Sequence, residues 1–275
     1  MSKEYRQRNF TIYMDRCDVA YMLNSTPKYF YLLELHLTLL KRYAPSLKWP
    51  VFLVTEEPGH VEILRVKSIF PELTVISIPA EDEAFFESRA EGVRALPAEI
   101  QYVFPIQEDF LLEGRPMDDV LKGMFEILDD NVSVSSMRLM PCPGPRGSCE
   151  FGESGWKVVD WMVDEYVFTY QATMWRRESY QKFMDALIVG VEKEFGGGLS
   201  RKQKAHIQIQ LNVAERELGR EVLRKMTNLH LAWPRGGQQA NAVYLCAWPY
   251  RPTAVVQGKL ETWAADLARR EGFVL

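Results

Sequence analysis

Two adjacent carboxylates, Glu108 and Asp109, follow Gln107 directly after the short apolar run Tyr102–Ile106. Such an unbroken run is typical of a parallel strand buried on both faces, and the carboxyl ends of parallel strands open into the crevice where α/β proteins bind ligands. Carboxylates at that place can hold a hard divalent cation, which in turn binds the phosphates of a nucleotide. A solvated turn after a strand is the alternative interpretation, and spacing alone does not separate the two.

The charges of the chain are distributed unevenly around this motif. Residues 81–119 contain eleven acidic residues and three arginines, a local net charge of -8, whereas the whole chain carries only -4. Residues 176–225 contain eleven basic and seven acidic residues, a net charge of +4. This pattern indicates two complementary surfaces, or a metal side and an anion side of one cleft.

Short apolar strands alternate with amphipathic helices in the first half of the chain, which predicts an α/β fold with a mostly parallel central sheet flanked by helices. Strands are expected at Phe10–Met14, Pro50–Thr55, Leu73–Ile78 and Tyr102–Ile106. Helices are expected to begin near Thr26 and at Pro116, because proline is favoured in the first helical turn. The polar cluster Asp15–Asp18 would then mark the end of the first strand.

The second half of the chain has a less regular pattern. Strands are expected over Val132–Met140 and Tyr166–Trp175, on either side of a loop from Pro141 to Gly155 that is rich in proline, glycine and cysteine. A last helix over Leu260–Arg270 should end before Gly272, which can adopt the left-handed conformation of a helix cap. This half is expected to form the irregular part of the same domain.

The composition restricts the classes of protein that the chain can belong to. It has 275 residues, of which 47% are hydrophobic and 25% charged, as in a folded globular protein. Its net negative charge disfavours binding to nucleic acid, and no apolar run is long enough to predict a transmembrane segment. The four cysteines form no CxxC pair, which is typical of core thiols in a reducing compartment. A cytoplasmic location is expected, with peripheral membrane association as an alternative.

The segment Gln107–Phe110 resembles the acidic metal-binding motif of GT-A glycosyltransferases, which usually reads Asp-x-Asp at the end of the fourth strand. The chain is similar, more specifically, to bacterial and viral glycosyltransferase-like proteins with a QEDF-type motif. Further matching segments follow in the order of that family: Arg138–Pro145, Tyr170–Trp175, Glu194–Phe195 and Thr253–Lys259. The resemblance implies one GT-A (Rossmann-like) domain over residues 1–275, in which roughly 1–130 bind a nucleotide sugar and 131–275 bind an acceptor.

The resemblance also implies roles on the donor side. Asp109 would ligate Mn²⁺ or Mg²⁺ that bridges the diphosphate of a UDP- or GDP-sugar, and Glu108 would face the sugar or the ribose. Arg89 would touch the diphosphate or the sugar. The residues implied to hold the base and ribose, at the ends of the first two strands, are Asp15, Asp18 and Glu56.

On the acceptor side, the resemblance implies that Glu194 is the base of an inverting transfer to a glycan or glycolipid. Gln171 and Trp175 would line the acceptor, and His230 would be a second metal ligand. The residues alone also allow other interpretations. Glu194 can be a surface acid at a helix end, and Trp175 can be a core residue, as most tryptophans are.

Two alternative functions remain open. A sugar-phosphate nucleotidyltransferase also has an α/β nucleotide site, but it normally has a glycine-rich loop after its first strand, and Asp15–Asp18 contains no glycine. A non-catalytic carbohydrate-binding module is the second, because Gln107 stands where most members of the family have an acid. The motifs of P-loop NTPases, dinucleotide-binding oxidoreductases and serine hydrolases are absent from the chain.

Overall fold

The computed structural model describes residue 13 and residues 15–79, 84–140, 145, 149–233, 246–251 and 253–275. Its centre is an eight-stranded sheet with the strand order β3-β2-β1-β4-β8-β6-β9-β7. The strands of this sheet are β1 (Val19–Asn24), β2 (Val51–Thr55), β3 (Thr74–Ser77), β4 (Tyr102–Gln107), β6 (Val134–Arg138), β7 (Lys157–Val158), β8 (Thr173–Arg176) and β9 (Leu229–Ala232).

The first four strands in this order are parallel to one another, and the antiparallel strand β8 joins them to the parallel pair β6 and β9. The edge strand β7 is antiparallel to β9. Two small antiparallel pairs lie outside the sheet: β5 (Leu111–Leu112) with β10 (Tyr250–Arg251), and β11 (Val255–Val256) with β12 (Lys259–Leu260). The predicted fold class, α/β with a mostly parallel central sheet flanked by helices, is therefore confirmed.

Helices cover both faces of the sheet. The α-helices of the described residues are α1 (Leu33–Tyr43), α2 (Val61–Ile69), α3 (Phe85–Arg94), α4 (Asp118–Asp130), α5 (Arg177–Phe195), α6 (Arg201–Ala205), α7 (Glu217–Met226) and α8 (Thr262–Arg270). Along β1, Tyr21 and Leu23 belong to one hydrophobic cluster, and Ala20 and Met22 belong to the other. Because successive side chains of a strand point to opposite faces, β1 is buried on both faces, as is usual for a central parallel strand.

The first predicted strand, Phe10–Met14, is not tested by the structure, whereas a strand that the sequence did not predict begins directly after Asp18. Residues 10–12 and Met14 lie outside the described residues, and the first described strand is β1, which begins directly after Asp18. Apolar runs lie on both sides of this polar cluster, and the run that follows it forms β1. As a consequence, Asp15–Asp18 lies before β1, at the opposite edge of the sheet from the end of that strand.

The other predicted strands are found, but one is much shorter than expected. Of Tyr166–Trp175, only the end forms a strand, β8. The backbone before it bonds to side chains instead: the Tyr170 N–H donates to Glu215 and the Ala172 N–H donates to Tyr250 Oη, both at 2.9 Å. These bonds satisfy backbone donors without a neighbouring strand, which explains why an apolar segment is irregular here.

The helix predictions are confirmed apart from small shifts. A 3₁₀ turn over Pro27–Leu32 follows Thr26 and continues into α1. The helix expected from Pro116 is α4, and the last helix is α8, followed by Gly272 at a φ of 83°. Of the loop from Pro141 to Gly155, residues 141–144 and 146–148 lie outside the described residues.

Two glycines offer a matched test of the packing between α7 and the turn before it. A Cβ on Gly219 would lie 1.7 Å from the carbonyl oxygen of Ala214, whereas a Cβ on Gly123 in α4 would meet nothing within 4 Å. We therefore expect Gly219→Ala to lower the free energy of unfolding by roughly 3 kcal/mol. Gly123→Ala should raise it by up to about 1 kcal/mol, because alanine favours helix. Urea unfolding of both variants measures this; equal effects would contradict the close approach.

Candidate functional site

The carboxyl ends of β1, β2 and β4 meet at one edge of the sheet. Asn24 at the end of β1 pairs in register with Gln107 at the end of β4, and the N–H of Ser25 donates to the carbonyl of Val54 in β2 at 3.2 Å. Glu108 follows directly after β4 at this edge. The motif that the sequence singled out therefore lies where α/β folds bind ligands.

Glu108 is buried, with 5% of its surface exposed. Burial is the largest cause that raises the pKa of its carboxyl group, to about 8, and the negative charge of Asp109 raises it further. Arg89 and Ser25 act in the opposite direction. At neutral pH, Glu108 is therefore mostly protonated, which allows two adjacent carboxyl groups to be buried side by side.

Asp109 is also buried, at 8% exposed, and burial raises its pKa to about 6. The chain near the C-terminus packs against it: the Val255 N–H donates to Asp109 Oδ2 at 3.3 Å and the Ala254 N–H donates to its carbonyl oxygen at 2.9 Å. The other carboxylate oxygen, Oδ1, is buried and accepts no hydrogen bond from the described residues. An ionised, half-satisfied carboxylate in the interior is costly, so Asp109 is a residue that a bound cation would stabilise.

Another unsatisfied oxygen lies at the same edge. In the described part of the chain, the Oδ1 atom of Asn24 is also buried without a hydrogen-bond partner, whereas the Ser25 hydroxyl interacts with the Glu108 carboxyl group. Oxygen ligands of this kind suit Mg²⁺ or Mn²⁺. No cluster of three or more His, Cys, Asp or Glu side chains that could hold a metal occurs among the described residues. Asp109 and Asn24 would therefore supply only part of the coordination shell of such a cation.

Arg89 supplies positive charge next to these carboxyl groups. It lies on α3, is 5% exposed, and its guanidinium carbon is 3.4 Å from the centre of the Phe85 ring. Burial lowers its pKa, whereas the electrostatic interactions with Tyr180, Tyr170 and Glu108 raise it. The sequence prediction that Arg89 belongs to the site thus agrees with its position beside Glu108.

His36 on α1 is a member of this cluster that the sequence did not indicate. Its Nδ1 atom lies 3.1 Å from the carbonyl oxygen of Glu108, and its Nε2 atom lies 2.7 Å from Tyr21 Oη. Because a carbonyl only accepts, Nδ1 carries the proton and Nε2 accepts from the tyrosine. Burial lowers the pKa of His36 to about 4, so it is neutral and fixes the backbone of the motif.

Nothing in the sequence around His36 marks this role, since it is one residue within the apolar stripe of α1. A signal for Asn24 and Ser25 does exist, because they are the polar residues that follow the apolar run of β1. This signal can be used only after Val19–Asn24 has been recognised as a strand.

The space beside Arg89 is small. Gln107, Tyr170 and Gln171 line it together with Arg89, and it has room for about one water molecule. The Gln171 side chain is held there, because its Oε1 atom accepts from Tyr250 Oη at 2.5 Å. Gln171 therefore lies next to the cluster, and a ligand larger than water needs the segment before β8 to move.

Asp15 and Asp18 are not part of the cluster. They lie before β1 at the amino edge of the sheet, where Asp15 pairs with Lys48 at 2.9 Å and Asp18 pairs with Arg16 at 2.7 Å. Arg16 also pairs with Asp129 at 2.6 Å. The expectation that these carboxylates hold a base and ribose together with Asp109 is corrected by the position of β1, because the body of the sheet separates the two edges.

Glu56 lies at the same edge as the motif, directly after β2. Burial raises its pKa, and the positive charge of Arg201 on α6 opposes this shift. Its predicted place at the end of the second strand is therefore correct, and its role toward a ribose stays a prediction.

Trp175 does not offer an aromatic face to a ligand. It is 2% exposed and stacks on Phe183 of α5 with 5.5 Å between ring centres. Phe168, Tyr180 and His230 lie against it as well. The interpretation as an acceptor-binding residue is corrected: Trp175 is a core residue, the alternative that tryptophans generally favour.

His230 lies apart from Asp109. It is a buried residue of β9, its Nδ1 atom is 2.7 Å from the Ser136 hydroxyl, and burial lowers its pKa to about 4. Two strands, β8 and β6, separate β9 from β4, which corresponds to about 14 Å at the usual strand spacing. The expectation that His230 and Asp109 share one metal ion is therefore corrected.

Glu194 is exposed in the last turn of α5. Its proposed role as a base stays a prediction. No described helix is both long and apolar enough to cross a membrane.

Comparisons with known proteins give distant similarities. No family model matches the chain, and no curated protein matches it. Among solved structures, the chain is similar to 4-diphosphocytidyl-2C-methyl-D-erythritol synthase from Anaerococcus prevotii, with 11% identity, a TM-score of 0.38, and coverage of 72% of this chain and 85% of that one.

The chain is also similar to residues 1–349 of S. aureus TarS, with 14% identity, a TM-score of 0.39, and coverage of 68% of this chain and 54% of that one. The same protein in complex with UDP-GlcNAc gives 14% identity and a TM-score of 0.39, with 58% and 45% covered. The chain thus spans about half the length of the TarS structures that it matches.

Proposed function

We propose that the protein is a metal-assisted glycosyltransferase that moves a sugar from a nucleoside-diphosphate sugar to a glycan or glycolipid acceptor. The observation that carries the proposal is the buried carboxylate of Asp109, with one oxygen unsatisfied, beside the buried Glu108 at the carboxyl ends of parallel strands. A structural turn after a strand does not need two buried carboxyl groups, because solvation of the charges would be less costly.

The chemistry of such a transfer assigns a task to each part of the cluster. Asp109 would hold Mn²⁺ or Mg²⁺, and the cation would stabilise the charge that develops on the departing diphosphate. Arg89 adds a fixed positive charge beside Glu108. His36 holds the backbone carbonyl of Glu108 and thereby orients the two carboxyl groups.

The residues at the end of β1 disfavour the nucleotidyltransferase alternative. The segment that begins at the last residue of β1 is Asn24-Ser25-Thr26-Pro27-Lys28, which contains no glycine. A phosphate-binding loop of that class places backbone N–H groups against the phosphates, and glycine permits this close approach. The absence of glycine therefore counts against that class here as well.

A thermal-shift panel tests the proposal. UDP, GDP, UDP-glucose, UDP-GlcNAc and GDP-mannose are added with and without MnCl₂. We expect either the uridine compounds or the guanosine compounds to raise the melting temperature, and only when Mn²⁺ is present. A ligand that binds the folded state stabilises it by mass action. If none of these compounds shifts the melting temperature, the donor site does not exist and the carbohydrate-binding module becomes the better interpretation.

A further inference from the structure

Three consecutive large apolar side chains are exposed on the segment that follows β7. Trp161 is 41% exposed, Met162 is 68% exposed and Val163 is 58% exposed. A run of this kind has no role in a core, and exposed apolar groups that are rigidly presented mark a binding surface.

The turn that carries these side chains is held firmly by its own hydrogen bonds. The Met162 N–H donates to Asp160 Oδ1, and the Asp160 N–H donates to Asp164 Oδ2, both at 2.8 Å. The guanidinium of Arg220 on α7 donates to the carbonyl oxygens of Trp161, Asp164 and Glu165. The backbone that carries the indole is thus held in place, which lowers the ordering that binding would require.

A pocket of about 340 Å³ lies between this turn and α7. We call it the Trp161 pocket; its lining residues are Trp161, Met162, Glu217, Arg220, Glu221 and Arg224. Two carboxylates and two guanidiniums line it, so its formal charge is zero. The guanidinium carbon of Arg224 lies 5.7 Å from the centre of the Trp161 ring.

The four charged side chains and the indole of the Trp161 pocket determine which ligands it can bind. A balanced charge gives no net attraction to phosphate or to an anionic membrane surface. Four charged side chains disfavour an apolar peptide or an acyl chain, because their polar groups would lose water without gaining partners. A neutral molecule with hydroxyl groups that both donate and accept, and with one apolar face that can lie on an indole, satisfies both conditions. A sugar ring has these properties.

We propose that the Trp161 pocket binds a glycan chain, at a place distinct from the Glu108–Asp109 cluster. The segment with Trp161 continues from β7, the edge strand of the sheet, whereas the cluster follows β4. Three strands, β8, β6 and β9, lie between them. The pocket would hold a polymer at a distance from the cluster, and this inference stands whether or not the protein transfers sugar.

Isothermal titration calorimetry with maltohexaose, cellohexaose and chitohexaose, each without nucleotide or metal, tests the proposal. At least one of the three should bind, and Trp161→Ala should weaken its affinity about tenfold, because the aromatic platform is lost. The melting temperature of this variant should stay close to that of the wild type, since the side chain is exposed.

Two matched controls identify the place of binding. Val163→Ser changes an exposed side chain of the same turn that does not line the pocket, and Asp109→Asn changes the cluster at β4; both variants should bind as the wild type does. The proposal is overturned if none of the three oligosaccharides binds, if Trp161→Ala binds as tightly as the wild type, or if Asp109→Asn abolishes binding.

Discussion

Replacing Asp109 by Asn should lower the Mn²⁺-stimulated hydrolysis of the preferred nucleotide sugar at least 100-fold. The amide has the same shape as the carboxylate and keeps an oxygen that can accept from the Val255 N–H, but it has no negative charge to hold a cation. The charge that develops on the departing diphosphate then loses its stabilisation, which is worth several kcal/mol in metal-assisted reactions. Because burial raises the pKa of Asp109 to about 6, removal of the charge should not destabilise the fold.

The measurement is the rate of nucleoside diphosphate release as a function of MnCl₂ concentration. Asp266→Asn is the matched control, because Asp266 is an exposed carboxylate on α8 that pairs with Arg269 at 2.8 Å. The control should keep the wild-type rate and the wild-type dependence on Mn²⁺. If Asp109→Asn retains turnover within about threefold of the wild type while the melting temperature is unchanged, the cation is bound elsewhere or is not needed.

Replacing Glu108 by Gln should stabilise the protein at alkaline pH. The folded state holds the proton of Glu108 up to about pH 8, whereas the unfolded chain releases it near pH 4.5. Between these values the folded state binds more protons than the unfolded state, so the free energy of unfolding falls as pH rises. Gln carries no charge at any pH, and it should therefore raise the free energy of unfolding at pH 9 by on the order of 3 kcal/mol relative to the wild type.

Urea unfolding at pH 4.5, 6, 7.5 and 9 measures this effect. Glu126→Gln is the control: Glu126 is exposed on α4, 3.7 Å from Lys122, and its substitution should leave the pH slope unchanged. Addition of Mn²⁺ at pH 9 should stabilise the wild type more than Glu108→Gln, because the cation favours the ionised carboxyl. The prediction is contradicted if the free energy of unfolding falls equally steeply with rising pH in the wild type and in Glu108→Gln. A different buried group would then cause the pH dependence.

Below about pH 6.5, two buried histidines change the free energy of unfolding in the opposite direction. Burial lowers the pKa of His36 and His230 to about 4, below their ordinary value of 6.5. The folded state thus binds fewer protons than the unfolded state in this range, and stability is lost as pH falls from about 6.5 to 4. Glu108→Gln should leave this acid limb in place, which separates the carboxyl effect from the histidine effect.

The position of Glu108 and Asp109 could be predicted from the sequence because it depends on one local pattern. The apolar run that ends at Ile106 is bounded by charged residues, so the strand and its carboxyl end are both readable. The alternation of short apolar runs with helical stripes likewise predicted the mostly parallel sheet, since that pattern reflects burial on both faces.

The parts that could not be predicted depend on contacts between distant segments. Residues 166–171 have strand composition, yet side chains from Glu215 and Tyr250 satisfy the backbone near Tyr170 and Ala172. His36 reaches the carbonyl of Glu108 across 72 residues of sequence. No local pattern encodes such contacts.

A crystal soaked with MnCl₂ and the nucleoside diphosphate that gives the larger thermal shift tests the central claim most directly. Anomalous diffraction locates manganese without reference to the surrounding residues. The proposal predicts a manganese peak about 2.2 Å from a carboxylate oxygen of Asp109, with diphosphate oxygens on the opposite side of the ion. The proposal is contradicted if the nucleotide is bound at full occupancy while the manganese lies elsewhere and the Asp109 side chain bonds only to protein atoms.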